Sequence, residues 1–367
     1  MKKHIKIGIL GTRGIPNRYG GFEQCAEYLA AGLVAKGHKV SVYNSHNHEY
    51  QQKEWNGVEI IHCYDAEEKL GTAGQFIYDL NCIRDARKRN FDVLLQLGYT
   101  SNSIWYPIWP KNCKNVVNMD GLEWKRTKYN KYIQKFLKKA ESWAALHADV
   151  LVADSVGIEK YIKEEYNKPS HFIAYGAPIF KDPVEAIINK YNVKAFDYNM
   201  LIARMEPENN IEMILKAHVL SGTSRPLLVI GKTENAYGQH LVELYGDKPG
   251  IQFLGGIYDT VVIDNLRYFS HLYFHGHSVG GTNPSLLEAM GCKALIAAND
   301  NLFNRGVLAE DAFYFADHEE LIEIIRTVTA KSQQEKLLQN NLRKIRDQYN
   351  WSRIVDEYEQ VLVAAAE

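Results

Sequence analysis

Residues 271–299, HLYFHGHSVGGTNPSLLEAMGCKALIAAN, hold the densest chemistry of the chain. Leu272–His275 reads as a buried strand, and Gly280 and Gly281 as a turn that lets backbone approach a ligand closely. Thr282 or Asn283 suits the cap of a following helix, with Pro284 in its first turn. Leu286, Leu287 and Met290 then face a core, and Glu288 lies one turn into the helix. A glycine loop running into a helix N-terminus presents backbone N–H groups and the positive end of the dipole together, which suits a phosphate. The amides of Gly281, Thr282 and Asn283 are the donors in this reading, and the Glu288 carboxylate suits a ribose diol. Phosphate and ribose together describe a nucleotide. The competing reading is a plain structural turn between strand and helix.

Other residues fit the same chemistry. Arg204 closes the apolar run MLIAR, where an unpaired buried charge is costly. It reads as a diphosphate clamp, or as a salt-bridge partner of Glu206 or Glu208. Lys232, after Gly231, is a second cation for that site or a solvated loop lysine. Tyr258, after Gly255-Gly256, stacks on a base or fills a core. His275 and His277 lack metal-ligand spacing elsewhere and read as groups lining a cleft; no metal site is expected. Near the N-terminus, Gly20 and Gly21 bring a loop close to phosphates or form a tight turn into a helix. Arg13 and Arg18 in that loop add charge at a leaving group or are solvated. Asp120, at a strand end before Gly121, positions or deprotonates an acceptor hydroxyl, or caps its own turn. Glu123 is an alternative for the same work.

The elements that must place these residues are short Val- and Ile-rich runs alternating with amphipathic stretches. Strands are expected at 5–10, 40–45, 58–63, 92–98, 116–120, 150–155 and 171–176, with helices at 22–36 and 129–146 between them. A second series follows at 200–204, 227–231, 251–255, 272–276, 294–299 and 312–316, and residues 318–366 read as helical. Buried runs alternating with helices imply parallel sheets. At 367 residues the chain exceeds one ordinary core. The polar stretch 180–199 separates the two series. The expected organisation is therefore α/β, with two Rossmann-like, doubly wound domains facing each other across a cleft. They span 1–180 and 181–350, and a C-terminal helix at 351–367 packs back on the first.

Composition removes several alternatives. A net charge of −1 gives no global pull toward nucleic acid. Five scattered cysteines without a Cys-x-x-Cys pair read as reduced thiols of a cytosolic protein, not a zinc site. No segment approaches the roughly 20 apolar residues of a membrane span. The first turn, GTRGIPNRYGGFEQ, lacks a clean G-x-G-x-x-G, and the second strand ends in Asn44-Ser45 instead of an acidic residue, which disfavours a nicotinamide oxidoreductase. The P-loop and any Asp-x-Asp pair are absent as well, so amides and basic side chains take over phosphate neutralisation.

On these residues the chain resembles a family 4 glycosyltransferase of the GT-B superfamily. Gly20-Gly21-Phe22-Glu23, Gly37-His38-Lys39-Val40, Val152-Ala153-Asp154-Ser155, Tyr175-Gly176-Ala177-Pro178, Arg204, Gly231, Gly255 and Ser285–Met290 carry the resemblance. GTRGIPNRYGGFEQ and NMDGLEWKR (118–126) are similar to a bacterial subgroup containing rhamnosyltransferases of capsule and cell-wall polysaccharide assembly. The resemblance implies a retaining, metal-independent transferase with no cofactor beyond its substrate. It implies a dTDP- or UDP-sugar donor, best dTDP-rhamnose, on the C-terminal domain, and a saccharide acceptor on undecaprenyl diphosphate. Two departures stand out. Gly280 replaces the first Glu of the family's Glu–seven residues–Glu motif, and Asn209 stands where a second basic residue is expected. A non-catalytic nucleotide-sugar binding subunit and a GT-B epimerase are the alternatives.

Segment 123–141 adds a partner. Tyr129, Tyr132, Ile133, Phe136, Leu137 and Ala140 share one helical face, and Lys128, Lys131, Lys135, Lys138 and Lys139 gather on another. In a nearly neutral chain, this reads as contact with an anionic membrane surface, at the inner face of the cell membrane.

Overall fold

The computed structural model describes residues 4–18, 20–126 and 129–367. It forms two compact units. The first holds the described residues up to Lys125, Tyr129–Tyr175 and Trp351–Glu367; the second holds Arg126 and Gly176–Asn350.

The first unit contains β1 (Lys6–Leu10), β2 (Lys39–Ser45), β3 (Glu54–Trp55), β4 (Val58–Cys63), β5 (Val93–Leu97), β6 (Lys114–Met119), β7 (Val150–Ala153) and β8 (His171–Phe172). Their order is β3-β4-β2-β1-β5-β6-β7-β8, parallel except for β3 against β4. Strand β3 has two residues, too few to leave a period in the sequence, and was not expected. Ile7 lies opposite both Val40 and Val93. Ile7, Ile9, Leu10, Val93, Leu94 and Leu95 are buried, as central strands of a parallel sheet require. Between the strands run α1 (Gly21–Ala35), the single turn α2 (Glu67–Leu70), α3 (Gly74–Ala86), α4 (Lys131–His147) and α5 (Val156–Tyr166).

The second unit contains β9 (Asn199–Ile202), β10 (Leu227–Ile230), β11 (Ile251–Gly255), β12 (Leu272–His275), β13 (Ile296–Asn299) and β14 (Phe313–Phe315). The order is β11-β10-β9-β12-β13-β14 and every pairing is parallel. Its helices are α6 (Ile211–Ser221), α7 (Ala236–Tyr245), α8 (Thr260–Phe269), α9 (Pro284–Gly291), α10 (Leu302–Leu308), α11 (His318–Thr327) and α12 (Glu335–Asp347). Leu201, Val229, Phe274 and Ala297 from the sheet pack with Leu215 of α6 and Leu321 of α11 in one core. Both units are thus Rossmann-like α/β layers. Strand order reverses at β1/β5 in the first and at β9/β12 in the second, the places where such sheets bind ligands beyond their strand ends.

The division between units falls after Tyr175, ahead of the polar stretch used as the boundary in the sequence. Backbone bonds explain this: Ala177 N–H donates to Tyr349 O at 2.7 Å and Phe180 N–H to Gly291 O at 3.0 Å, both inside the second unit. The helical reading of 318–366 is interrupted near 328–330 and 348–350. After the first break, Lys331 turns inward to bond the Tyr268 carbonyl. The last helix, α13 (Trp351–Ala365), belongs to the first unit. Trp351 stacks on Tyr28 of α1 at 4.4 Å, and Tyr358 receives a bond from Asn118 of β6 at 2.7 Å. Gly32 lets α1 approach: a Cβ there would lie 2.6 Å from Val355. His38 Nδ1 accepts from Ile5 N–H, so its Nε2 carries the hydrogen donated to Glu359 at 3.2 Å.

Candidate nucleotide site on the second unit

The loops after β9 and β12, at the switch point, are stitched together. Glu208 O accepts from Ser278 N–H at 3.0 Å and from Ser278 Oγ at 2.8 Å. Asn210 Nδ2 donates to Gly276 O at 2.8 Å. A Cβ on Gly276 would lie 2.2 Å from Asn209 O, so the two loops meet only because this residue is glycine. The loop after β13 joins them, with Asn301 and Asn304 donating to His277 O at 3.0 and 3.1 Å.

Helix α9 starts in this corner. Asn283, not Thr282, is its cap: Oδ1 accepts from Ser285 N–H at 2.9 Å, and Pro284 opens the helix without a donor of its own. Among the described residues the Gly281 and Asn283 amides have no hydrogen-bond acceptor. Thr282 is buried. Gly280 has φ of +133° with open space where a Cβ would sit. The position is therefore defined by a glycine backbone, which a Glu would adopt only under strain.

Arg204 lies beyond the strand, which stops at Ile202. Its carbonyl accepts from Glu206 N–H at 2.8 Å and Asn209 Nδ2 at 2.7 Å, forming a turn that leaves the side chain exposed. This corrects the expected buried charge. The alternative salt bridge to Glu206 or Glu208 is not formed among the described residues. Glu208 instead takes Arg126, at 3.4 Å, with both side chains largely buried. Arg126 was not singled out in the sequence; the only sign of it was the basic end of NMDGLEWKR. Burial, then Arg204, then Arg126 push the His277 imidazole down to about 3. His275 is held well below its usual range by burial, by His277 and by Arg267. The two rings stack at 4.4 Å. The cationic charge in this corner is therefore guanidinium, and the imidazoles are neutral.

Glu288 is neither a solvated carboxylate nor a capping one. Its Oε2 accepts from Arg267 Nη2 at 2.6 Å, with Glu288 23% and Arg267 4% exposed. Arg267 also donates to Asp264 at 3.1 Å and Ser285 Oγ at 3.3 Å, and Ser285 Oγ meets Tyr273 OH at 2.8 Å. Burial raises the Asp264 carboxyl. Arg267 sits in an amphipathic helix pattern, where nothing in the sequence marked it as Glu288's partner.

Lys232 and Tyr258 are brought together. Both are exposed, Tyr258 by 62%, and Lys232 Nζ stands 5.5 Å from the Tyr258 ring centre. The core reading of Tyr258 is thereby corrected. Its ring lies against Gly256, where a Cβ would come within 3.0 Å. An exposed ring beside an ammonium suits stacking on a base.

The remaining candidates belong to the first unit. Gly20 precedes α1 with φ of −159°, extended backbone open to any residue, and Gly21 is the first residue of α1; their geometry fits the helix-start reading. Arg13 is neither solvated nor unengaged: it holds Glu67 through two bonds of 2.9 and 2.7 Å. Arg18 is exposed, 3.6 Å from Glu49. Asp120 follows β6, and a Cβ on Gly98 would sit 3.9 Å from its Oδ1. Glu123 lies in the short turn Glu123–Lys125, its N–H donating to Tyr99 OH at 3.2 Å.

Segment 123–141 differs from its expected two faces. Lys128 lies outside the described residues. Asn130 caps α4, and Leu137 and Ala140 are buried, but Tyr132 is 85% exposed, with Ile133, Lys131 and Lys135 exposed beside it. Lys138 is not on a solvated face; it stands 4.9–5.1 Å from the rings of Trp124, Tyr161 and Tyr166. No helix among the described residues is long and apolar enough to cross a membrane.

Residues 3–178 match the family model of a domain of unknown function, DUF1972, and residues 185–345 match that of glycosyl transferases group 1. No curated protein matches the chain in sequence. Solved structures match its fold. Sucrose-phosphate synthase from Thermosynechococcus elongatus is 16% identical over 98% of each chain, with a TM-score of 0.78. HepE from Anabaena, in complex with UDP and glucose, is 16% identical over 98% of this chain and 100% of its own, with a TM-score of 0.74. A glycosyltransferase from Rickettsia africae is 14% identical over 100% and 99%, with a TM-score of 0.72. At such identities the likeness establishes the fold, which is GT-B. A glycosyl transferases group 1 domain carried on that fold supports a nucleotide-sugar glycosyltransferase.

Proposed function

We propose that the second unit binds a nucleotide-diphosphate sugar at the β9/β12 switch point and that the protein transfers the sugar to a saccharide acceptor held by the first unit. The observation that carries this is the loop Gly276–Asn283. It runs into the capped start of α9 and is tied to the turn that exposes Arg204. Amides, helix dipole and guanidinium converge there on an anion. In transfer, negative charge grows on the leaving diphosphate. The Gly281–Asn283 amides belong to a tied backbone loop and stabilise that charge with little reorganisation, and the exposed Arg204 guanidinium adds to them. The Lys232–Tyr258 pair suits the base or its flanking phosphate. Glu288, steadied by Arg267, suits the ribose. Asp120 orients the acceptor hydroxyl or takes its proton.

The resemblance in sequence extends this reading to a retaining, metal-independent reaction. It suggests dTDP-rhamnose as donor and a lipid-diphosphate-linked sugar of surface polysaccharide synthesis as acceptor. UDP is the first probe, because HepE was solved with UDP and glucose. The exposed Tyr132, Ile133, Lys131 and Lys135 of α4 fit an anionic membrane surface, apolar groups entering the headgroup layer and ammonium groups pairing with lipid charge. On this reading the protein works at the cytoplasmic face of the membrane.

Calorimetry with UDP, dTDP and GDP, followed by product analysis with UDP-glucose and dTDP-rhamnose, tests the reading. Binding of one nucleotide with acceptor-dependent release is expected. No binding of any of the three overturns the site. Binding without turnover favours a non-catalytic subunit, and an altered sugar formed without acceptor favours an epimerase. Flotation on vesicles with and without phosphatidylglycerol tests the membrane contact; equal recovery from both sets removes it.

A further inference from the structure

The loop that carries Asp120 is held by a buried polar hub that neither family match assigns. Glu141, in the middle of α4, is 1% exposed. Its Oε1 accepts from Tyr161 OH at 2.6 Å, Tyr166 OH at 2.5 Å and Lys138 Nζ at 3.1 Å. Its Oε2 accepts from Trp124 Nε1 at 3.0 Å, with the Tyr99 hydroxyl oxygen 3.4 Å away. A carboxylate without water needs this many donors, and here four side chains from three separate segments supply them. Tyr99, just past β5, is fully buried and reaches further. Its hydroxyl donates to Gly121 O at 2.7 Å and accepts from Glu123 N–H at 3.2 Å. Two backbone groups and one side chain of Gly121–Lys125 are therefore bound to Tyr99 and Glu141. Gly121, at φ of +153°, adopts a backbone that most side chains avoid, and it directly follows Asp120.

We infer that Tyr99 and Glu141 are positioning residues: they fix the loop Gly121–Lys125 and with it the direction of Asp120 toward an acceptor. The inference rests on the acceptor-side reading of Asp120 given above. Tyr166 supplies the internal comparison, because it bonds the same Glu141 oxygen as Tyr161 but touches no atom of the loop in any hydrogen bond described. A hub serving stability alone treats loss of Tyr99 and loss of Tyr166 alike. A hub serving the loop separates them.

The test uses the full chain with Tyr99→Phe, Glu141→Gln and Tyr166→Phe. Hydrogen exchange of the amides in 120–125 is expected to quicken about tenfold in Tyr99→Phe and Glu141→Gln and to stay at the wild-type rate in Tyr166→Phe. UDP affinity, read on the second unit, stays within twofold in all three. With UDP-glucose as donor and octyl glucoside as acceptor, the first two variants raise the acceptor KM about fivefold while the donor KM is unchanged. Unchanged exchange in Tyr99→Phe, or equal quickening in Tyr166→Phe, overturns the inference. A wild-type protein that binds UDP yet transfers nothing to octyl glucoside counts against the transferase reading alone, and the exchange rates then decide the inference by themselves.

Discussion

Glu288 has two jobs on the reading above, and two substitutions separate them. Its 2.6 Å bond to Arg267 satisfies a guanidinium that is almost wholly buried. Breaking a buried ion pair by removing one partner costs about 3–5 kcal/mol. Glu288 is partly exposed and Asp264 keeps a 3.1 Å bond to Arg267, so the low end, about 3 kcal/mol, is expected for Glu288→Ala. For a unit of this size, about 2–4 °C of melting temperature follows each kcal/mol, giving a loss of roughly 6–12 °C. Arg267→Met breaks the same pair but leaves the carboxylate in place, and the same loss is expected. Nucleotide affinity divides them. A charge-assisted bond to a ribose hydroxyl is worth about 1.5–3 kcal/mol, or about 10- to 150-fold in Kd. Glu288→Ala should weaken UDP by that factor, while Arg267→Met should stay within about threefold. Thermal unfolding and calorimetry on both proteins read the two effects. If Glu288→Ala melts early yet binds UDP like the wild type, the carboxylate is only Arg267's partner and the ribose assignment fails.

Arg204→Ala should weaken UDP about 10- to 100-fold through lost charge-assisted bonds to the diphosphate, and Arg126→Gln about tenfold or less, because Glu208 already draws its guanidinium; unchanged affinity in both removes the arginines from the site. Gly280→Ala should cost about 1–3 kcal/mol of local strain and weaken UDP, since φ of +133° is a glycine conformation although space for a Cβ is open; wild-type affinity shows that the loop geometry is not needed. Lys331, 6% exposed and pushed down to about 7 by burial, holds fewer protons folded than unfolded between about pH 7 and 10.5. Stability should therefore rise with pH across that window by up to about 1.4 kcal/mol per pH unit, and be lost again as pH falls toward 7. Urea titrations from pH 7.5 to 9.5 should show this slope in the wild type and its loss in Lys331→Met; equal slopes refute a Lys331 amine held neutral by burial.

The sequence by itself determined the two parallel sheets, because a strand buried on both faces is apolar at almost every position, as in IKIGIL and DVLLQLG, and such runs are visible without any partner. It narrowed the start of α9 to Thr282 or Asn283 ahead of Pro284, because capping depends on the residue and its next few neighbours, and the structure selects Asn283. The two-residue β3 was lost because it is too short to carry a period. Only the tertiary structure decided which charges are engaged. Arg13 belongs to Glu67, Arg126 to Glu208, Arg267 to Glu288, and Lys138 sits among Trp124, Tyr161 and Tyr166. Tyr258, for which the sequence left stacking on a base and filling a core both open, is exposed beside Lys232. The reason is that periodicity records whether a position faces water, a property of one element. The partner of an ionic or hydrogen-bonding group is set by how separate elements are packed, and spacing along the chain carries no record of it.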